Sequence, residues 1–218
     1  MISMQTYKEG DGKTVKDVQY FDFDLAKDQI LKKSPADISR LAAVDFDQNS
    51  SSFNLKSLGQ DITVSYPECR AKLAKTGEEP VIEWHIPILH YLATADGGAP
   101  NGTLVSFAEI EKHVAHPWQF EEDTGDRLMK LLDSIPLAKL EQACLTFDGV
   151  KTKSKADLYV KFPYLPKIDI FLQVWLAEEG IPGSAKFLFD KNCVHYLNSI
   201  DLNFAGVLLT DFLIKQCG

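Results

Sequence analysis

The cysteine and histidine nearest each other in the chain are Cys193 and His195, in the run Asp190-Lys191-Asn192-Cys193-Val194-His195-Tyr196-Leu197. A nucleophilic thiol needs a neighbouring base to lower its pKa, and an extended segment would set both side chains on one side. No third orienting group or oxyanion-binding loop accompanies them, so the competing reading is a buried Cys beside a satisfied His. His113 and His116 are spaced to share a helix face near Glu109, Glu111, Glu121, Glu122 and Asp123, which makes them weak metal-ligand candidates. Pro117 disfavours a helical conformation at His116 and works against that shared face. His85 and His90 lie five positions apart, which separates them by about 140° around a helix, so they form no ready metal pair.

The Gly-rich phosphate cradle, the dinucleotide fingerprint and the Gly-x-Ser-x-Gly elbow are all missing from the sequence. Trp84, Tyr91, Trp118, Phe162, Tyr164, Phe171 and Trp175 could line a flat ligand pocket, although such residues more often build a core. Four cysteines, Cys69, Cys144, Cys193 and Cys217, stand far apart and are read as reduced thiols.

The elements that must position these residues follow from apolar spacing. Asp24 to Val44 reads as two helical pieces joined at Ser34-Pro35, with Ser34 as cap and Asp37 at the third helical position. Phe53, Leu55 and Ser57, then Ile62, Val64 and Tyr66, alternate across Gly59 as a hairpin that ends at Pro67. Pro80 to Ala95 is a helix that Pro87 should kink or restart. Asp96 to Gly102 follows as a turn-rich loop, the most mobile-looking interior segment.

Leu104 to Phe107 is a short extended piece. Short helices are expected over Phe107 to Val114, Asp126 to Leu132 and Pro136 to Cys144. Leu158, Val160 and Phe162 alternate, Pro163 to Pro166 turns the chain, and Ile168, Ile170, Leu172 and Val174 alternate again. Glu178-Glu179-Gly180 is a turn, Lys186 to Phe189 a third strand, and a closing helix begins near Ser199, a cap candidate, and runs to Lys215. The whole reads as one α+β domain over residues 1–218, with an N-terminal hairpin and a C-terminal antiparallel meander packed against helices.

Composition bounds the function. With 218 residues, 45% hydrophobic and 25% charged, the chain can bury a real core as one domain. A net charge of −8 repels phosphate backbones and anionic headgroups, so nucleic acid and membrane are not expected partners. Lys151, Lys153 and Lys155 lack aromatic neighbours and read as a solvated loop. No apolar run is long enough to span a bilayer, and Met1 to Lys16 is polar rather than signal-like, so a cytoplasmic location is expected.

The run Ile88 to Gly97, followed by Gly102-Thr103-Leu104-Val105-Ser106-Phe107, resembles the family called domain of unknown function 3786. So do Leu165 to Trp175, Ala185 to Asp190 and His195-Tyr196-Leu197, and together these cover most of residues 80–215. The resemblance implies a cytoplasmic protein of anaerobic prokaryotes, in a family where some members carry an iron–sulfur segment that this chain lacks. His90, Asp190 and His195 are the polar positions in those motifs and, with Tyr91, the ligand-binding candidates.

The leading expectation is a ligand-binding or accessory protein, serving corrinoid or one-carbon metabolism through a small molecule or a protein partner. A metal-dependent or Cys/His-dependent enzyme and an oligomeric scaffold are the alternatives. The sequence specifies neither cofactor nor oligomeric state.

Overall fold

The computed structural model describes residues 15–111 and 118–218. Helix α1 (Val15–Leu31) ends before Ser34, which caps α2 (Pro35–Ala42) by accepting the Asp37 N–H at 3.1 Å. The junction and the second piece stand where apolar spacing and the Ser-Pro pair put them, whereas the first helix begins at Val15, nine residues before Asp24.

A four-stranded antiparallel sheet follows, in the order β1 (Asp45–Asp47), β2 (Ser52–Ser57), β3 (Gln60–Ser65), β4 (Ala71–Leu73). Its central hairpin turns on Leu58 and Gly59, both at positive φ (46° and 76°). This is the geometry that matches strand twist in a two-residue turn. Phe53 lies opposite Val64 and Leu55 opposite Ile62, all four buried, so one face of the hairpin enters the core. The flanking strands β1 and β4 are only three residues long, too short for an alternation to announce them.

Helix α3 (Ile82–Thr94) is buried on nearly every face and continues through Pro87. The expected kink or restart does not break it, because in the second turn the proline deprives only the Glu83 carbonyl of a partner. It packs between α1 and α8 (Ser199–Cys217). Asn198, not Ser199, caps α8: its side chain accepts the Asp201 N–H at 2.9 Å while Asp201 accepts the Asn198 N–H at 3.2 Å. The reciprocal pair satisfies two orphan donors, which a cap at Ser199 would not do.

The second sheet has five antiparallel strands in the order β5 (Leu104–Ser106), β9 (Ser184–Asp190), β8 (Ile168–Trp175), β7 (Leu158–Leu165), β6 (Val150–Lys151). Leu158, Val160, Phe162 and Tyr164 alternate inward opposite Ile170, Leu172 and Val174, and Ala185, Phe187 and Phe189 extend the face. The expected turn at Pro163 to Pro166 is shorter: β7 runs on to Leu165 through an irregularity between Pro163 and Leu165. Pro163 stays in register with Asp169, and Tyr164 is the residue skipped. On the other side of β7, β6 pairs only with Val160 and Lys161, so Pro163 lies past the end of that ladder, where its missing N–H costs no strand bond. The two sheets meet where Leu58 N–H donates to the Pro163 carbonyl at 3.1 Å.

Four shorter helices fill the remaining sides: α4 (Phe107–Ile110), α5 (Trp118–Asp123), α6 (Gly125–Leu132) and α7 (Leu137–Leu145). The helix expected over Phe107 to Val114 ends at Ile110, where Glu111 leaves helical geometry. Gly125 lets α6 start against β9, since a Cβ there would stand 2.0 Å from the Ala185 carbonyl oxygen. The Lys151 ammonium lies 2.9 Å from Glu141, so this residue of the lysine cluster is an ion-paired surface group. Both sheets and all these helices contribute to a contiguous buried cluster. This is the α+β architecture with two antiparallel sheets that the periodicities imply. No helix among the described residues is long and apolar enough to cross a membrane.

Cys69, Cys144, Cys193 and Cys217 are all free and buried. Burial raises every one of these thiols, to about 11 at Cys69 and about 12 at Cys144 and Cys193. The thiolate is the reactive form. An aromatic disulfide reagent at pH 8 should therefore label none of them in the native protein and all four in guanidinium.

The same shifts set an alkaline limit. A thiol whose folded pKa lies above its ordinary 9.0 contributes stability that is whole below pH 9 and lost as pH rises toward about 12. Chemical denaturation at pH 8 and pH 10.5 should show the lower midpoint at pH 10.5, and an equal or higher one would contradict the burial of these groups.

Candidate functional site

The family-like motifs meet at the loop Ala95–Thr103 that joins α3 to β5. Its turn residues need backbone conformations open to glycine, with φ of 88° at Gly97 and 78° at Gly102. Side chains from three distant parts of the chain hold it: Lys33, Lys167, and the segment that carries Asp190 and Tyr196. The Lys33 ammonium donates to the Ala95 carbonyl at 3.3 Å, and the Lys167 ammonium, on the β7–β8 turn, donates to the Gly97 carbonyl at 3.2 Å. The Tyr196 hydroxyl donates to the Gly98 carbonyl.

Asp190, buried at the end of β9, accepts N–H groups from Asn101 (3.3 Å), Gly102 (2.7 Å) and Asn192 (3.0 Å). The loop that looked most mobile is thus tied at both ends, because its turn residues direct backbone N–H and C=O groups toward fixed charged partners.

Asp96 sits at the exposed end of this frame. One of its oxygens accepts the Gly98 N–H at 2.8 Å and the other lies 2.7 Å from His195 Nδ1. Those two contacts, the backbone one first, hold the Asp96 carboxyl below its ordinary value. Gly98 leaves room for this pair: a Cβ there would stand 3.1 Å from the Asp96 carboxylate and 3.2 Å from the His195 ring, so one of these side chains would have to shift. With Nδ1 bonded to Asp96, His195 directs Nε2 away from the carboxylate, and its side chain is 51% exposed. Lys33 is half-buried, and desolvation lowers its pKa against the opposing field of Asp96.

Of the two readings of Cys193 and His195, the structure agrees with a buried Cys beside a satisfied His and not with a dyad. Lys191–His195 is a 3₁₀ turn, not an extended segment, and residues two apart on it face in different directions. Cys193 is fully buried with its thiol pushed up to about 12, so it supplies no nucleophile. The partner of His195 is Asp96, ninety-nine residues away.

The other candidates divide. His90, on α3, lies 2.8 and 2.9 Å from the two oxygens of Asp201, whose side chain is 1% exposed. The Thr94 hydroxyl joins this corner to the Tyr196 segment, its one proton shared between the His90 carbonyl, at 2.7 Å, and that of Tyr196. Tyr91 is fully buried, stacked on Tyr196 at 5.2 Å, with its hydroxyl donating to the Ala42 carbonyl. His85 is a core histidine: its Nε2 accepts the Ala71 N–H at 3.1 Å, and burial lowers its pKa. His113 and His116 lie outside the described residues. Among the described residues no three His, Cys, Asp or Glu side chains are grouped to hold a metal ion.

Of the aromatic candidates, Phe162 and Tyr164 are core residues like Tyr91, Trp175 is 40% exposed, and Phe171 stacks on Tyr159 on the outer face of the second sheet. The Trp118 side chain lies outside what is described.

The family model of Domain of unknown function (DUF3786) matches residues 34–211. The chain belongs to this family. No curated protein and no solved structure matches it. The DUF3786 match contains Asp96, Lys167, Asp190, His195 and Asp201, so the whole loop frame except Lys33 falls within it.

Sequence reasoning singled out His195 and Asp190 but missed Asp96, Lys33, Lys167 and Tyr196 as a group. Asp96-Gly97 stood inside a recognised motif and was the available signal. Nothing in local spacing links residues 33, 96, 167 and 196.

Proposed function

We propose that this DUF3786 protein is a ligand-binding accessory protein whose loop Ala95–Gly102, with His195, receives an anionic group of a small molecule. The observation that carries the proposal is the convergence of Lys33, Lys167 and His195 around a loop whose backbone is already fixed. Each lysine ammonium uses one N–H on a loop carbonyl and retains two for a ligand. Fixed donors cost little ordering on binding, which favours recognition of a small anion at an otherwise acidic surface.

The wider role, in anaerobic corrinoid or one-carbon metabolism, rests on the family resemblance. It is consistent with this chemistry, because cobamides, haem and folates all carry phosphate or carboxylate groups.

Thermal unfolding with cobalamin, haem and tetrahydrofolate tests the proposal. A ligand at about a hundred times its Kd adds roughly 2.7 kcal/mol, which for a chain of this length raises the midpoint by about 5 to 10 °C. His195→Ala should leave the unliganded midpoint within about 1 °C, since the pair it breaks is half exposed. It should remove most of the ligand shift. If none of the three molecules moves the native protein's midpoint, the proposal fails.

One contact favours a second reading. A carboxylate on Nδ1 fixes the tautomer of His195 and presents Nε2 as an acid–base group. An enzyme would lose turnover and keep binding in His195→Gln, whereas a binding protein would show no turnover at all.

A further inference from the structure

At the other end of α8 a cleft of about 350 Å³ opens between the four-stranded sheet, the start of α3 and the last turns of α8. Its walls are Leu58 from the β2–β3 turn, Leu73 from β4, Trp84 from the first turn of α3, Phe147, and Phe212 and Lys215 from the last turns of α8. The size falls within the range of small-molecule sites. Trp84 is held by its indole N–H, which donates to Ser57 Oγ at 2.8 Å in the core. Phe212 stands edge-on to Trp84 at 5.4 Å and stacks on Phe147 at 5.5 Å with 16° between planes. The aromatic surfaces are thereby fixed before any ligand arrives, so little ordering opposes binding.

One charged residue lines the cleft, Lys215, whose long stem lets its ammonium reach the rim. Lys215 is exposed and makes no ion pair with any described residue. Gln60 and Gln216 add amide donors and acceptors at the mouth. The last carbonyls of α8 favour cations and work against an anion deep in the cleft. An anionic head must therefore sit at the rim, on Lys215, with its apolar body against the rings.

The geometry points to a second ligand site in this protein, one that takes a flat aromatic carboxylate, its ring against Trp84, Phe147 and Phe212 and its carboxylate on Lys215. The site is independent of the loop around Asp96. Lys215 lies fourteen residues along α8 from Asp201, about 21 Å.

The test is a calorimetric titration of the full chain with 2-naphthoate, repeated with neutral 2-naphthol and cationic 2-naphthylmethylammonium. We expect saturable one-to-one binding of naphthoate, with a Kd on the order of 0.1 mM for a ligand of this size. Naphthol should bind more weakly and the cation more weakly still. Lys215→Glu, an exposed change, should weaken naphthoate about tenfold and leave naphthol unchanged. Gln216→Trp, which places a large ring at the mouth, should weaken both. His195→Ala should change neither, which separates this site from the loop site.

Absence of saturable binding would overturn the assignment. So would an unchanged naphthoate affinity in Lys215→Glu, tighter binding of the cation, or loss of naphthoate binding in His195→Ala.

Discussion

Asp190→Ala is expected to lower the thermal midpoint by about 6 to 12 °C, the largest loss among single changes at the loop site. The carboxylate is buried and accepts three backbone N–H groups, from Asn101, Gly102 and Asn192. Removing it strands donors that the loop geometry holds in place, at a cost of about 3 kcal/mol in total. For a chain of this length each kcal/mol is worth roughly 2 to 4 °C.

Asp190→Asn is the sharper test, because it keeps the shape and changes only the hydrogen-bonding sense. An amide presents one oxygen and one NH₂, so at least one backbone N–H would face another donor. Asn should therefore recover less than half of the loss. A variant with the native midpoint, measured by circular dichroism at 222 nm, would mean that the Asp190 contacts do not hold the loop.

His90→Ala is the second large effect, expected to cost about 3 kcal/mol. Asp201 is almost wholly inaccessible, and His90 faces both of its oxygens from α3. Removing the imidazole leaves a carboxylate in the interior without that partner, and breaking a buried pair from one side is much more costly than replacing both partners. His90→Leu with Asp201→Leu should therefore be less destabilised than the sum of the two single changes.

Asp201 also closes the cap of α8 through the Asn198 N–H, so the double change retains a residual loss. A double-mutant cycle in urea reads the coupling directly. A coupling below about 0.5 kcal/mol would reduce His90–Asp201 to a contact of no consequence for the joint between α3 and α8.

These two corners and the surface pair Asp96–His195 behave differently under substitution, and that difference is functional information. Asp190 and Asp201 are buried and their changes should be read in stability. Asp96 and His195 are half exposed, so their changes should be read in ligand response.

Much of the architecture was legible in apolar spacing. The alternation of Phe53 and Leu55 with Ile62 and Val64, and of Leu158, Val160 and Phe162 with Ile170, Leu172 and Val174, gave both hairpins. The Ser34-Pro35 junction gave the break between α1 and α2. The short strands β1 and β4 were hidden because three residues carry no period. The α8 cap fell one residue early because Asn198 and Ser199 both suit the position and only the reciprocal bonds with Asp201 decide it.

By itself the sequence determined the α+β class, the inward faces of its hairpins and helices, and the motifs in which Asp190 and His195 stand. Each of those depends on spacing within a few residues or on a motif. The tertiary structure alone decided that His195 turns from Cys193 to Asp96, that Lys33 and Lys167 hold the same loop, and that Trp84, Phe147 and Phe212 share one cleft. The physical reason is that hydrogen bonds and ring contacts act over a few ångströms. The chain's path between residues 33 and 196, which no local period encodes, decides which groups come that close.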